Sequence, residues 1–457
     1  MLAFFQRFWQ RLRDSLWFVP SVLVLGACAL AYGLIEFDRR TSFDGAKQFP
    51  LLFGVGAQGS RSMLTAIAGS MLTVAALVFS LTLSTISQVS SQYSPRVLRN
   101  FMRDRGNQVV MGYFVGVFAY CLLVLGTIRG TDEHKFVPST AVVVGLSLAL
   151  GGVAALIYFI HHIAESLQTD TILDRISRQS CAAVKELFPA GVGEPATTPA
   201  TEAAWQAAQG APGWQAVRAT QTGYVQRIDA AALLRWAAAH DAWLRVEQPV
   251  GAFVGAGACL VSYYQPAGAR ASPNAAASQE LAGAVVLESY RSIEQDVAFG
   301  VQQLVDIALK ALSPGINDTT TAIMAVDHLG LVGEQLAARP FPALLRTDAA
   351  HPALLVRVPA RDFAGYMRLA FDLVRINAKG NHALFRRLLR ALALVASAAR
   401  TDERRAVVRA QALLLLACAD DTLATEYEKQ SVRAVYAAVQ SAWEGQHQPA
   451  AELLATL

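Results

Sequence analysis

The chain has 457 residues, of which 54% are hydrophobic and 16% are charged, and its formal net charge is +4. A hydrophobic fraction this high and a charged fraction this low are unusual for a soluble protein of this size. The small positive net charge argues against nucleic-acid binding. The five cysteines show no CxxC spacing, which argues against a disulfide framework and against a zinc ribbon.

Four apolar stretches in the first third of the chain have the length of membrane-spanning helices. We place them at about residues 16–35, 63–88, 109–128 and 139–161. The first one follows a basic start, but its apolar run is longer than the hydrophobic region of a typical signal peptide, so we interpret it as a retained helix. Residues 1–175 are therefore predicted to form a transmembrane domain.

Arginines cluster before the first span and between the second and third spans (Arg7, Arg11, Arg13, Arg96, Arg99, Arg103 and Arg105). The other two connections carry mixed charge, with acidic residues among them. Because basic residues collect on the cytoplasmic side of membrane proteins, this distribution predicts that both termini are cytoplasmic. Everything after the fourth span is then expected to be cytoplasmic as well.

The second span carries a stripe of small, mildly polar side chains. On a helical wheel one narrow face holds the small-residue stripe: Ser62, Ala66, Gly69, Thr73, Ala76, Ser80, Ser84, Ser87 and Ser91. Such a stripe is either the wall of a water-filled path or a seam where another helix packs closely. On the first interpretation, the predicted pore-lining residues are Thr73, Ala76, Ser80, Ser84, Ser87 and Ser91, and rings of Arg96, Arg99 and Arg103 form a cytoplasmic mouth that favours anions.

Beyond the fourth span the hydrophobic pattern changes to shorter elements. Residues 176–213 are predicted to be a helix end followed by a flexible linker, residues 214–290 a small mixed β/α unit, and residues 291–457 a mainly helical cytoplasmic domain. The expected fold class is a membrane α-helical protein with four transmembrane helices and a C-terminal cytoplasmic α+β domain that is mostly helical.

One turn in the helical domain offers backbone amides at a helix N-terminus, where an anion could bind. The residues of this candidate ligand turn are Ser313, Gly315, Asn317 and Asp318. Gly315 is expected to take a conformation that side chains disfavour, and Asn317 or Asp318 to cap the following helix. Capping alone accounts for the same residues, so a small anionic ligand there is one of two interpretations.

The sequence favours no enzyme activity. It holds no HExxH, GxSxG or P-loop pattern, and no nucleophile–base arrangement supports chemistry around Asp296 to Asp318. His161, His162 and Glu165 offer too few ligands for a good metal site. We therefore expect no metal, no cofactor and no catalytic residue. The apolar spans carry almost no charge, which also disfavours an ion-driven transporter.

Three segments carry a resemblance to a known family: residues 79–125, which contain SQYSPR, residues 223–241, and residues 295–322, which contain ALSPGIND. They resemble the bacterial membrane family called domain of unknown function 2254, over nearly the whole chain. Thr319 departs from that pattern, because proline is expected there. The resemblance implies a multi-pass protein of the bacterial inner (plasma) membrane, and it implies no activity and no site residues.

The leading hypothesis is a homo-oligomeric membrane pore or ion channel lined by the second span, with a cytoplasmic assembly or sensing domain. The alternative is a non-conducting, membrane-anchored sensor or scaffold in which the small-residue stripe is a helix-packing seam. The expected partners are membrane lipids and further copies of the chain, with a small anionic ligand on the cytoplasmic domain as a further candidate and no nucleic acid.

Overall fold

The computed structural model describes residues 17–40, 56–92, 104–131, 134–188, 193–196, 198–266, 273–348 and 350–443. The chain divides into two compact units, Met1–Thr171 and Ile172–Leu457. The first is a bundle of long apolar helices, and the second combines helices with β-sheets, which confirms the predicted fold class.

Four long helices build the N-terminal unit: α1 (Phe18–Arg40), α2 (Ala57–Gln92), α3 (Arg105–Thr127) and α4 (Ser139–Ser166). Each of them is long and apolar enough to cross a membrane, so the predicted number of spans is confirmed. A short antiparallel hairpin, β1 (Arg129–Thr131) with β2 (His134–Phe136), joins α3 to α4. With 36 residues, α2 is roughly 54 Å long, well over the hydrocarbon thickness of about 30 Å.

The central helix of this unit is α3, which packs against each of the other three. Its Phe114 and Tyr120 are fully buried, and the Tyr120 hydroxyl donates a 2.7 Å hydrogen bond to the carbonyl of Ala141 on α4. A side chain on Gly112 would place its Cβ 2.7 Å from the Cα of Pro20 on α1. Close contact between α1 and α3 therefore depends on glycine at this position.

Among the described residues of the C-terminal unit, the strands form two sheets. Their strands are β3 (Glu194–Pro195), β4 (Gln215–Arg218), β5 (Gly223–Ile228), β6 (Trp243–Val246), β7 (Phe253–Val254), β8 (Cys259–Tyr264), β9 (Val285–Glu288), β10 (Leu345–Asp348) and β11 (His351–Arg357). The six-stranded sheet has the order β3-β10-β11-β6-β8-β4, and the three-stranded sheet has the order β7-β5-β9. The pair β11–β6 is parallel and aligns Val356 with Leu244, whereas β8 pairs with both β4 and β6 in antiparallel fashion.

The larger sheet crosses the boundary that the sequence predicted at residue 290. Strands β10 and β11 come from the segment predicted to be mainly helical, yet β11 pairs with β6 of the mixed unit. Such a pairing depends on contacts between distant parts of the chain, which a local hydrophobic pattern does not report. The two predicted regions therefore share one sheet.

The segment predicted to be a flexible linker also differs from that expectation. It contains β3 and helix α6 (Pro199–Gln209), which Thr198 caps by accepting a hydrogen bond from the amide of Thr201. Trp205 on this helix is buried, and its ring stacks on Trp243 at 6.0 Å between centroids. An aromatic anchor of this size explains why an alanine- and threonine-rich segment folds against the sheet.

The remaining helices are α5 (Thr169–Leu187), α7 (Ala230–His240), α8 (Ala275–Gly283), α9 (Val297–Ala311), α10 (Thr319–Ala337), α11 (Phe363–Asn377), α12 (His382–Ala398), α13 (Asp402–Thr422) and α14 (Glu426–Trp443). Helices α10 and α12 run side by side in the same direction. Gly330 lies against Ala391, and Gly333 lies against Val395, so the absence of a side chain on α10 permits this close contact.

Candidate functional site

Helix α2 packs one of its faces in the bundle and exposes the small-residue stripe on the opposite side. Leu64, Met71 and Val78 are buried on the face that packs against α3 and α4. The small-residue stripe occupies the opposite face, and eight of its members are exposed: Ser62, Ala66, Gly69, Thr73, Ala76, Ser80, Ser84 and Ser87. In the part of the chain that the structure describes, these eight stripe residues are therefore not used to pack the bundle.

The structure describes the surroundings of some of the predicted pore residues and not of others. Thr73, Ala76, Ser80, Ser84 and Ser87 are exposed along one face of α2. Ser91 belongs to the same helix, but its side-chain surroundings lie outside the described residues. The predicted mouth, Arg96, Arg99 and Arg103, also lies outside them. The assignment of these residues to a pore stays a prediction.

The other exposed faces of the bundle look different from the stripe. Leu25 on α1 is 69% exposed, and Leu150 and Ile157 on α4 are 66% and 65% exposed. Large aliphatic side chains of this kind suit contact with lipid tails. Exposed leucines, among them Leu77 and Leu83, also flank the stripe on α2. The stripe itself, made of serine, threonine, alanine and glycine, gives lipid tails less apolar area than these neighbours.

Glycines elsewhere in the bundle show how the chain makes close helix contacts. Gly116 on α3 lies against Ala27, and Gly152 on α4 lies against Met71, so both are filled by a neighbouring helix. A Cβ on Gly69 of the stripe would meet no atom within 4 Å. The bundle therefore already has its own small-residue seams, and the stripe is additional to them.

Hydroxyl groups on α2 donate to their own helix. Thr73 donates from Oγ1 to the carbonyl of Gly69 at 2.9 Å, and Thr82 donates to the carbonyl of Val78 at 2.8 Å. A threonine hydroxyl that donates to its own helix needs no acceptor on a second helix when it lies in an apolar environment. The Thr73 oxygen keeps its capacity to accept, so it could contact water or a cation; donors for an anion would have to come from other groups.

A hydrogen bond joins the start of α2 to the end of α3. Arg61 donates from Nη2 to the carbonyl of Ile128, at the end of α3, with an N–O distance of 2.6 Å. Helices α2 and α3 run in opposite directions, so the start of α3 at Asp104 is level with about residue 85 of α2 at an equal rise per residue. Ser87 and Ser91 therefore lie near the level of Asp104 or beyond it.

Asp104 is a residue that the sequence reasoning missed. Its Oδ1 accepts from the amide of Gly106 at 2.8 Å, which caps α3, and lies 2.9 Å from Nε2 of His162. His161 points elsewhere and contacts Glu165 at 3.3 Å. The two histidines thus have different partners, and no group of three metal ligands occurs among the described residues. An aspartate before a helix is a capping signal, but its contact with α4 required the tertiary structure.

The turn at residues 313–318 differs from the expectation for Gly315 and shows which of the two predicted residues caps α10. Gly315 does not have a positive φ, whereas Asn317 does, at 50°. Asparagine tolerates this left-handed conformation better than most residues, so the turn places it there instead of the glycine. Of the two predicted caps, Asp318 is the one observed: its carboxylate accepts from the amide and the hydroxyl of Thr321, at 3.0 and 2.6 Å.

These contacts bear on the anionic ligand predicted for the same turn. Hydrogen bonding, first of all from the Thr321 hydroxyl, lowers the pKa of the Asp318 carboxyl. A negative charge therefore already occupies the start of α10. The amides of Ile316 and Asn317 both donate to the carbonyl of Ser313. A ligand at this turn stays a prediction, since the Asp318 cap and hydrogen bonds within the turn account for the contacts described here.

Comparison with known proteins supports the interpretation of this chain as a membrane protein. Residues 13–394 match the family described as "Predicted membrane protein (DUF2254)". The chain is 33% identical over 434 residues to the uncharacterized protein Rv1290c of Mycobacterium tuberculosis strain H37Rv and to the uncharacterized protein Mb1321c of Mycobacterium bovis. Each match covers 92% of this chain and 79% of the relative. No solved structure matches the chain.

Proposed function

This chain belongs to the DUF2254 family of predicted membrane proteins, and from that premise we propose that it forms a homo-oligomeric pore lined by α2. One observation carries the proposal: the small-residue stripe is exposed over the length of a membrane helix whose opposite face is packed in its own bundle. Several copies arranged around an axis would bring their stripes together around a central path.

The chemistry of the stripe suits a path that becomes more polar along its length. Gly69 and Ala76 lie in its apolar part, whereas Ser80, Ser84 and Ser87 follow toward the end of the helix. Hydroxyl oxygens and protons can replace part of the hydration shell of a passing ion. Arg96, Arg99 and Arg103 follow in the sequence, and rings of these arginines would favour anions at that end.

A non-conducting sensor or scaffold is the competing proposal, and the same exposed stripe supports it. A close seam between copies also needs small residues, and serines within it can hydrogen-bond across helices. Both proposals require association of copies through α2. Conduction separates them, since only the pore leaves space along the axis. Neither proposal assigns a catalytic role to any residue.

The pore predicts that a bulky side chain in the stripe changes conduction. Purified protein in planar bilayers should carry current under voltage, and Ser84→Trp should reduce it several-fold because the indole would narrow the path. Ile157→Trp is the matched control, since Ile157 is 65% exposed on the apolar face of α4. It should leave the current unchanged.

Further arms of this experiment decide between the proposals. Arg96→Glu should shift the reversal potential in a salt gradient toward cations, because it would place a ring of negative charge at the proposed mouth. Well-folded oligomers that pass no current under voltage or membrane tension would exclude the pore. If cross-linking at Ser84→Cys then joined neighbouring copies, the seam would take its place.

The proposed orientation places both termini in the cytoplasm of the bacterial inner membrane. Single cysteines test it in a variant whose five native cysteines are replaced. Arg129→Cys, at an exposed position between α3 and α4, should react with a membrane-impermeant maleimide on spheroplasts. Glu202→Cys, exposed on α6, should react only after lysis. Labelling of Glu202→Cys on intact spheroplasts would overturn the orientation.

A further inference from the structure

Three arginines lie together on α12 in the C-terminal unit. Arg386, Arg387 and Arg390 occupy adjacent turns of this helix and are half-buried. We call them the arginine cluster. Asp327 on the parallel helix α10 contacts Arg387 through both carboxylate oxygens, and the Nη2–Oδ2 distance is 2.6 Å. In this bidentate ion pair, both oxygens of the Asp327 carboxylate contact the guanidinium of Arg387.

The guanidinium of Arg390 has fewer hydrogen-bond partners than that of Arg387. Its Nε atom is buried and has no hydrogen-bond partner among the described residues. Burial lowers the pKa of the Arg390 guanidinium, the charges of Arg386 and Arg387 lower it further, and Asp327 opposes them. A buried donor without an acceptor beside other cations is unfavourable for folding. Ionisable groups whose pKa is shifted by burial and by neighbouring charges are enriched at functional sites.

We propose that the arginine cluster binds a phosphate group beside Asp327. Guanidinium groups present planar pairs of N–H donors that match two phosphate oxygens, and a phosphate beside the cluster would bring negative charge next to Arg390, whose pKa the neighbouring arginines lower. Helices α10 and α12 are held together on either side of the cluster, by Asn381 with Thr319 at 2.8 Å and by the contact of Gly330 with Ala391. The donors are thus carried by packed helices and are positioned before the ligand arrives.

The arginine cluster also differs from the turn at residues 313–318. That turn carries the Asp318 carboxylate at the helix start, whereas the cluster, about two turns further along the same helix pair, places three guanidinium groups together, and two of them lower the pKa of the third. The phosphate can come from a soluble compound or from a lipid headgroup, since both offer the same oxygens. The proposal is independent of conduction through α2.

Thermal unfolding of the purified full-length protein tests the proposal with inorganic pyrophosphate as the probe, at constant ionic strength set with chloride. Saturating pyrophosphate should raise the melting temperature of the wild type by several degrees, because a ligand that binds only the folded state stabilises it. Arg390→Gln should abolish this rise. Arg409→Gln, on the exposed surface of α13, should keep it.

The free protein provides a second readout. Without pyrophosphate, Arg390→Gln should melt at the same temperature as the wild type or higher, because it removes a desolvated charge from beside two others. If Arg390→Gln does not fold, Arg390→Lys replaces it, and equilibrium dialysis measures the binding of radiolabelled pyrophosphate. Arg390→Lys should bind pyrophosphate more weakly than the wild type, because lysine lacks the paired N–H donors of the guanidinium.

Nanodiscs separate the two phosphate sources. Stabilisation by phosphatidylglycerol relative to phosphatidylcholine that is lost in Arg390→Gln, with no response to pyrophosphate, would assign the cluster to a lipid headgroup. A response to pyrophosphate in detergent would assign it to a soluble compound. An equal response in the wild type and in Arg390→Gln, or no response to either probe, would overturn the proposal.

Discussion

Asp296→Asn should lower the free energy of unfolding of the C-terminal unit by about 3–5 kcal/mol, because it removes one partner of a buried ion pair. The Asp296 side chain is 4% exposed, and its Oδ2 accepts from Nε of Arg291 at 2.7 Å. The loop that contains Gly251 covers this carboxylate, since a Cβ on Gly251 would lie 2.5 Å from Oδ2. Without the negative charge, Arg291 would remain partly buried and uncompensated.

The asparagine variant isolates the charge from the helix cap. Asp296 also accepts at Oδ1 from the amide of Phe299 at 3.0 Å, and an asparagine oxygen can keep that bond. Asp296→Ala should therefore cost about 1 kcal/mol more than Asp296→Asn. Denaturant titration monitored by tryptophan fluorescence measures both.

Asp402→Asn is the matched control for the ion pair. Asp402 also begins a helix and contacts Arg405 at 2.9 Å, but its side chain is 97% exposed. Water screens this pair, so its loss should change stability little. If Asp296→Asn were as mild as Asp402→Asn, the assigned role of the buried pair would be refuted.

Gly300→Ala should destabilise the C-terminal unit by about 1–3 kcal/mol through overpacking between α5 and α9. A Cβ on Gly300 would overlap the Ser180 hydroxyl and lie 3.1 Å from the Ser180 Cβ. Ser180 is fully buried, and its hydroxyl donates to the carbonyl of Ile176 at 2.8 Å. Rotating that hydroxyl away would break this bond and would not remove the contact with Cβ.

Combining Gly300→Ala with Ser180→Gly exchanges the positions of the small and large residues. The double variant should recover most of the stability lost by Gly300→Ala, so the two changes should show a coupling of about 1–3 kcal/mol in a double-mutant cycle. Gly283→Ala is the control, because a Cβ at that helical glycine meets no atom within 4 Å. Additive effects in the double variant would show that α5 and α9 do not make this contact.

Much of the membrane architecture could be predicted because it is encoded locally. A membrane-spanning helix satisfies its own backbone hydrogen bonds, so length and apolarity are enough to identify it. The helical period of about 3.6 residues places Met71 and Val78 on the side of α2 opposite the small-residue stripe, and the structure buries these two residues and exposes eight members of the stripe. The same reasoning identified Asp318 as one of two candidate helix caps, and it is the cap observed.

Contacts between distant residues could not be predicted in this way. The pairing of β11 with β6 joins residues more than 100 positions apart, and the local patterns of these strands resemble those of other short extended segments. The alanine- and threonine-rich composition around Trp205 predicts a linker, although the Trp205 ring packs against Trp243. Asp104 and His162, which touch across two helices, had no signal in the spacing of either segment.

By itself, the sequence determined the number of membrane helices, the two-part organisation of the chain and the chemistry of each helix face, because hydrophobicity and helical period act over a few turns. The tertiary structure alone decided which face of α2 packs in the bundle and which is left exposed, and which arginine of the cluster pairs with Asp327. These outcomes depend on how distant helices meet, and side chains that are equivalent in a local pattern become different only when a neighbour covers one of them.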